Sequence, residues 1–410
     1  MLQKPRGTRD FLPEEMERRR MIESTMRDQA RRWGYREVCT PIFEELEIFT
    51  MRSGEGIIQE MYIFEDKGGR KLALRPEVTA SVLRMYVNEA RVIPKPLRWY
   101  YFSDCFRYER PQKGRYRQFW QFGVELIGAD SALADAEVIS VADAVLRAAG
   151  VGYELKVGHL APMKQLLSSL DPRLQRSTMG FLDKRDFSGL ESHLCSIHEE
   201  HLLDQLLGLA TCSSLEDLFA ITGSIPERTR IERLFQLLDL AGIDYSFNFG
   251  IARGLDYYTG MVFEGFADNL GAENQIIGGG AYRLAHLFGG DDVASCGFAI
   301  GFDRVVVSIG EVATARPIVI GIACTEDSRR YATEVAGLFR KEGICVLTDL
   351  SDRGLSTQLA HLSRDADIAI ILGKRETEAG TVTLKNLHTG EQRELVVAEA
   401  IAEVKGSGNR

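Results

Sequence analysis

Among its 410 residues the chain has no apolar run near the roughly 20 residues that a membrane-spanning helix requires; the longest are PIVIGIAC near Ile318 and IAIILG near Ile370. The opening, MLQKPRGTRDFLPEE, has no apolar core of a secretory signal. A cytoplasmic protein with no membrane partner is therefore expected. Its seven cysteines, at positions 39, 105, 195, 212, 296, 324 and 345, are odd in number and include no CxxC pair, which favours reduced thiols over disulfides. His193, Cys195, His198, His201 and Cys212 lie close in sequence, yet no pair has metal-ligand spacing followed by a second such pair, so no zinc is expected. Basic charge is not in excess: the net charge of −9 lacks the footprint of a general nucleic-acid binder, and any RNA contact must rest on local patches. Neither GxxxxGK[ST] nor GxGxxG occurs, so a nucleotide bound here would have to be held by an antiparallel sheet instead of a glycine-rich loop.

What the sequence does have is the composition of a soluble globular protein, 45% hydrophobic and 27% charged, with length for two or three domains. Its most informative stretch is FRYERPQKGRYRQFWQFGVE, from Phe106 to Glu125. Aromatic-rich runs flank a loop that carries Arg107, Arg110, Lys113, Arg115 and Arg117 against one acid, Glu109, which predicts an antiparallel hairpin with a basic loop. On the returning strand, alternation places Trp120, Phe122, Val124 and Leu126 on one side and Gln121 and Glu125 on the other, with Gly123 leaving room for a ligand. A solvated arginine loop on an ordinary sheet edge is the blander alternative.

Pro13 to Gly34 reads as a helix with acids at its start, followed by a short strand, REVCTPIFE, which Pro41 marks as an edge or boundary strand. MYIFEDKGGRKLAL alternates around Lys67, Gly68 and Gly69 and predicts a second hairpin. Glu77 and Thr79 follow it, and their types suit either the first turn of a helix or a ligand site. Leucine-rich helical texture fills 160–240, and strand texture returns from Tyr245 to Phe266. CGFAIGFDRVVVSIG reads as a strand opening into a helix at Asp303 and Arg304. Beyond Pro317, strands alternate with helices as in a small α/β domain with a largely parallel sheet.

The hairpin segment resembles motif 2 of class II aminoacyl-tRNA synthetases, and in particular the form found in histidyl-tRNA synthetases. IARGLDYYTG, from Ile251 to Gly260, is similar to a signature of that family, and GFAIGFDR, from Gly297 to Arg304, to motif 3; RPEVT and PRGTRDFLP also fit. The helix and strand before Glu45 resemble motif 1, the dimer element. The resemblance implies activation of histidine by ATP, followed by transfer to the terminal adenosine of histidine tRNA, in a homodimer.

The same resemblance implies Arg107 and Arg253 as catalytic cations on either side of the α-phosphate. Glu109, Arg115, Phe119 and Arg304 fall with Arg107 on the ATP side, with Arg115 at the γ-phosphate, and Phe119 and Arg304 around the adenine. Glu77, Thr79, Gln121, Glu125, Arg253, Tyr257, Tyr258 and Tyr282 fall on the histidine side. ATP is expected to enter with Mg²⁺ on its phosphates. GGGAYR departs from the family's usual GGRYD, with Ala281 in place of Arg and Arg283 in place of Asp, and Asp303 stands where Glu is common.

The expected architecture is an α+β catalytic domain of class II type, an antiparallel sheet flanked by helices, built from 1–159 and 241–312. It carries a helical insertion at 160–240 and an α/β anticodon-binding domain at 316–410. A rival is a non-catalytic relative, the synthetase-like regulatory subunit of ATP phosphoribosyltransferase, which lacks the terminal module and erodes the arginines.

Overall fold

A computed structural model of the chain describes residues 2–53, 55–109, 114–184, 186–251, 257–270, 274–310, 317–350 and 353–407. Two compact units divide it, 1–312 and 313–410. The strands of the first are β1 (Arg36–Glu37), β2 (Phe43–Glu45), β3 (Ile63–Glu65), β4 (Lys71–Leu74), β5 (Leu97–Phe106), β6 (Gln118–Ile127), β7 (Glu154–His159), β8 (Ser246–Phe247), β9 (Tyr258–Phe266), β10 (Gln275–Tyr282) and β11 (Ser295–Gly301). Eight of them form one sheet in the order β1-β5-β6-β11-β10-β9-β7-β8. Its inner six strands are antiparallel, and the two-residue strands β1 and β8 pair in parallel at its two edges.

Helix α1 (Pro13–Arg32) starts with Pro13 and with Glu14 and Glu15 in its first turn, and ends on Arg31 and Arg32, so proline geometry and the macrodipole agree at both ends. It buries Ile22, Met26 and Ala30 against the sheet. The stretch REVCTPIFE, which reads as one strand, is divided: β1 joins the large sheet and β2 joins a small sheet of order β2-β4-β3. Pro41 has no N–H to give a ladder, and pairing cannot run through it. In the hairpin of β3 and β4 the Asp66 carboxylate accepts from the backbone N–H groups of Gly68 at 2.8 Å and Arg70 at 3.0 Å. A short helix, α2 (Leu46–Ser53), connects β2 towards β3, and another, α3 (Thr79–Met85), follows β4.

Helix α4 (Ala132–Ala148) is capped by Ser131, whose hydroxyl accepts from the N–H of Ala134 at 3.2 Å. Its apolar face, with Val138, Ile139, Val141 and Val145, closes over Phe122, Val124 and Leu126 of β6. Helices α5 (Leu160–Leu166), α6 (Pro172–Lys184), α7 (Phe187–Ser196), α8 (Leu202–Thr211), α9 (Leu215–Thr222) and α10 (Arg228–Leu240) then intervene before the chain returns to the sheet at β8. His159 caps α5, its Nδ1 accepting from the N–H of Ala161 at 3.1 Å, and burial pushes its pKa down to about 3. Helix α11 (Phe302–Ile309) follows directly on β11.

The second unit runs β12 (Val319–Cys324), α12 (Arg329–Lys341), β13 (Cys345–Thr348), α13 (Leu355–Leu362), β14 (Ile368–Leu372), α14 (Lys374–Ala379), β15 (Thr381–Asn386), β16 (Gln392–Val396) and α15 (Val397–Ser407). The sheet order is β13-β12-β14-β15-β16, parallel through β14 and antiparallel beyond it. Gln358 of α13 extends the ladder past β12. Its carbonyl oxygen accepts from the N–H of Cys324 at 2.9 Å, and its amide donates back to that residue's carbonyl at 3.0 Å. No helix among the described residues is long and apolar enough to cross a membrane.

Strands β5 and β6 form the hairpin that the sequence predicts, with Leu97 opposite Ile127 and Phe106 opposite Gln118. One detail differs. The space left by Gly123 holds the ring of Tyr101, its partner across the ladder, and not a ligand: a Cβ there would lie 2.2 Å from Tyr101 Cζ. The ring is 1% exposed, so it has nowhere to move. Gly123→Ala is therefore expected to lower stability by about 1–3 kcal/mol through overpacking. Urea unfolding followed by far-UV circular dichroism measures this, and an unchanged midpoint would contradict the packing.

Candidate active site

The polar face of the large sheet forms the floor of a cavity of about 350 Å³. Alternation along β6 puts Gln121 and Glu125 on it, while Phe122 and Val124 go to the opposite, dry face. The start of α3 adds Glu77 and Thr79, the hairpin loop adds Arg107, Glu109 and Arg115, and Phe119 lies at the entry to β6. Strands β9 and β10 contribute Tyr258 and Tyr282, with Tyr257 just before β9, and α11 contributes Arg304. Twelve of the thirteen residues singled out from the sequence line this one cavity. The thirteenth, Arg253, lies outside the described residues, as do Arg110 and Lys113 of the basic loop.

At one end the groups are acidic and phenolic. Glu125 is 1% exposed and accepts a hydrogen bond from the hydroxyl of Tyr282, whose pKa burial and that carboxylate together push well up. Tyr282 is thus a fixed donor and Glu125 a fixed acceptor. The rings of Tyr257 and Tyr258 pack 4.2 Å apart. Gln121 accepts from the thiol of Cys105 at 3.4 Å, and burial raises that thiol to about 12, so it stays protonated. Glu77 has two jobs: besides facing the cavity, its carboxylate accepts from the N–H of Ala80 at 3.1 Å and caps the first turn of α3.

At the other end the groups are cationic. Arg107 is aimed by its Nε, which donates to the carbonyl of Pro76 at 2.9 Å, and its guanidinium lies 5.3 Å over the ring of Phe119. Glu109 stands between Arg107 at 3.8 Å and Arg115 at 3.4 Å. Arg304 donates from Nε to the carbonyl of Gly114 at 3.4 Å and from Nη1 to that of Gln275. Backbone carbonyls of Pro76, Gly114 and Gln275 thus aim the guanidinium groups of Arg107 and Arg304.

Several cavity residues escape a reading of the sequence. Tyr116, Glu264 and Gln275 line it, with the Gln275 amide donating to Glu264 at 3.0 Å. Glu264 does have a local signal, a carboxylate in the otherwise apolar run MVFEGF. Asp303 has none, since its three partners lie 183, 284 and 294 residues away. Arg283, where the family pattern has Asp, pairs with Asp292 at 3.2 Å and with Asp130, so its reversed charge is balanced locally. His193, one of the clustered histidines, sits between the hydroxyls of Ser177 at 3.1 Å and Thr178 at 3.2 Å.

Arginines at one end and carboxylates at the other suit a ligand pair with phosphates on one side and an ammonium or imidazole N–H on the other. Comparison with known proteins agrees with that chemistry. A family model described as histidyl-tRNA synthetase matches residues 7–305, and one described as anticodon binding domain matches 306–407. The histidine–tRNA ligase of Methanoregula boonei is 68% identical over 410 residues, covering 100% of both chains. Among solved structures, apo histidyl-tRNA synthetase from S. aureus aligns with a TM-score of 0.74 at 27% identity over 98% of this chain and 100% of its own. A Bacillus halodurans protein titled ATP phosphoribosyltransferase regulatory subunit/histidyl-tRNA synthetase aligns at 0.79 and 26% identity over 91% of this chain and 98% of its own. With a match that runs the full length of the chain and a cavity lined by arginines and buried carboxylates, the protein belongs to the histidyl-tRNA synthetase family of class II aminoacyl-tRNA synthetases.

Proposed function

We propose that histidine and ATP meet in this cavity, head to head, at the boundary between its carboxylate and arginine ends. That division of charge is the observation that carries the reading. The protein is a histidine–tRNA ligase: it activates histidine to histidyl-adenylate and transfers it to tRNA, converting ATP to AMP and pyrophosphate. The histidine carboxylate attacks the α-phosphorus, a Pα–O bond breaks, and pyrophosphate leaves with its electrons. A terminal ribose hydroxyl of histidine tRNA then attacks the histidyl carbonyl and expels AMP.

The attacking carboxylate is ionised at neutral pH, so the first step needs no general base and rests on positioning and charge stabilisation. Arg107 holds the α-phosphate from one side and Arg253 from the other. Arg115 and Glu109 act at the outer phosphates, while Phe119 and Arg304 take the two faces of the adenine. Mg²⁺ enters as part of the ATP substrate. Glu77, Thr79 and Gln121 hold the ammonium and carboxylate end of histidine. Glu125, Tyr257, Tyr258 and Tyr282 surround its imidazole, where a side chain lacking the ring N–H groups leaves buried polar atoms unpaired.

The rival reading, a non-catalytic regulatory subunit, fares worse. The chain keeps both Arg107 and Arg304 at the cavity and has a C-terminal unit matching the anticodon-binding family. That unit would grip the anticodon end of the tRNA. We read the enzyme as a cytoplasmic homodimer. Phe43 and Phe64 stand 52% and 40% exposed on the small sheet, their rings 6.1 Å apart, with Ile42 and Ile63 exposed beside them. An apolar face of this kind marks an interface, and a second copy is its natural cover.

Three measurements test this reading. ATP–pyrophosphate exchange is expected with histidine and with none of the other nineteen amino acids; binding of histidine without exchange would favour the regulatory alternative. Arg107→Ala is expected to slow exchange by about 10²- to 10³-fold while raising KM for histidine little, because the lost contact acts on transition-state charge. A variant within about threefold of wild type would remove Arg107 from the mechanism. Phe64→Asp is expected to weaken self-association at least about tenfold in analytical ultracentrifugation, a charge in an apolar interface being costly; an unchanged dimer would place the interface elsewhere.

A further inference from the structure

Asp303 is 2% exposed, and its carboxylate joins three parts of the first unit. Oδ1 accepts from Nη1 of Arg19 on α1 at 2.8 Å and from Arg9 of the N-terminal segment, while Oδ2 accepts from the backbone N–H of Trp120 at 2.9 Å. Trp120 lies between Phe119 and Gln121, and Arg304 follows Asp303. The guanidinium carbon of Arg9 lies over the ring of Tyr116, 3.4 Å from its centroid, and Tyr116 lines the cavity. Two residues earlier, the carbonyl of Gly7 accepts from the N–H of Arg117 at 2.9 Å, and the carbonyl of Arg117 accepts from the N–H of Arg107 at 2.9 Å. Gly7 has φ of +86°, and a Cβ there would lie 2.7 Å from Arg117 Cγ, so only glycine fits the crossing. The N-terminal segment is thus a strap across the base of the basic loop.

We propose that Arg9 is a positioning residue for ATP: it clamps Tyr116 and the base of the 107–117 loop to α11 through Asp303, fixing the arginine end of the cavity and not the histidine end. The proposal rests on the assignment of Arg107, Arg115, Phe119 and Arg304 to ATP. Everything the strap holds belongs to that group or neighbours it. The histidine-side residues sit on or just before α3 and β9, and on β6 and β10; among them Gln121 is next to Trp120, which Asp303 holds.

The test is steady-state exchange kinetics on the full-length protein with ATP and histidine varied in turn. Arg9→Met removes both the ion pair and the stack, and is expected to raise KM for ATP about tenfold while KM for histidine stays within about twofold. Tyr116→Leu removes the stack and leaves Asp303 untouched; it is expected to raise KM for ATP as well, and the double variant to fall short of the product of the two effects. Arg9→Lys keeps the charge but loses the planar stack and should fall between wild type and Arg9→Met. A merely structural Arg9 would lower kcat with the folded fraction and leave both KM values alone. That result, an equal rise in both KM values, or an unchanged KM for ATP in Tyr116→Leu should Arg9→Met fail to fold, would overturn the proposal alone. A wild type without exchange would overturn the site reading and this proposal together.

Discussion

Alternation across the antiparallel strands is the constraint from which the rest follows. Beyond the entry to β6, where Phe119 and Trp120 also line the cavity, Gln121 and Glu125 face it because Phe122, Val124 and Leu126 face α1 and α4. The sheet is both the lid of a hydrophobic core and the floor of a charged cavity. The low-dielectric layer beneath strengthens the charges above it. A register slip of one residue in β6 would invert both faces at once.

The hairpin was legible because its information is local. Two aromatic runs, a basic loop and a period of two are all contained within Arg98–Glu125. The basic loop faces the cavity through Arg107 and Arg115, which answers the blander reading of a solvated edge. What the sequence conceals is partnership across the ladder and across the chain. Gly123 looked like room for a ligand because its true occupant, Tyr101, lies on another strand. Nothing in the sequence signals what Asp303 holds, because its partners come from residues 9, 19 and 120. Glu77 resisted a choice between helix cap and ligand site for a physical reason: one carboxylate has oxygens enough for both.

The helices between β7 and β8 are tied to the sheet by a chain of charges close to Tyr282. Arg230 of α10 bridges Asp135, in the first turn of α4, at 2.8 Å, and Asp130 just before that helix. Asp130 also takes Arg283, the neighbour of Tyr282. Burial outweighs Arg230 in lifting the Asp135 carboxyl to about 6. Arg283, where the family pattern has Asp, therefore fits this arrangement, meeting two aspartates, Asp130 and Asp292.

The eight-stranded sheet ends on β1 and β8, each two residues long and each parallel to its neighbour. A long free edge presents a row of unpaired amides and carbonyls on which another chain can grow. A two-residue edge offers too few of them to hold a visitor in register. The protein can thus carry a broad, apolar-backed sheet at high concentration without recruiting copies of itself into fibrils, and the safeguard lies in where its strands stop.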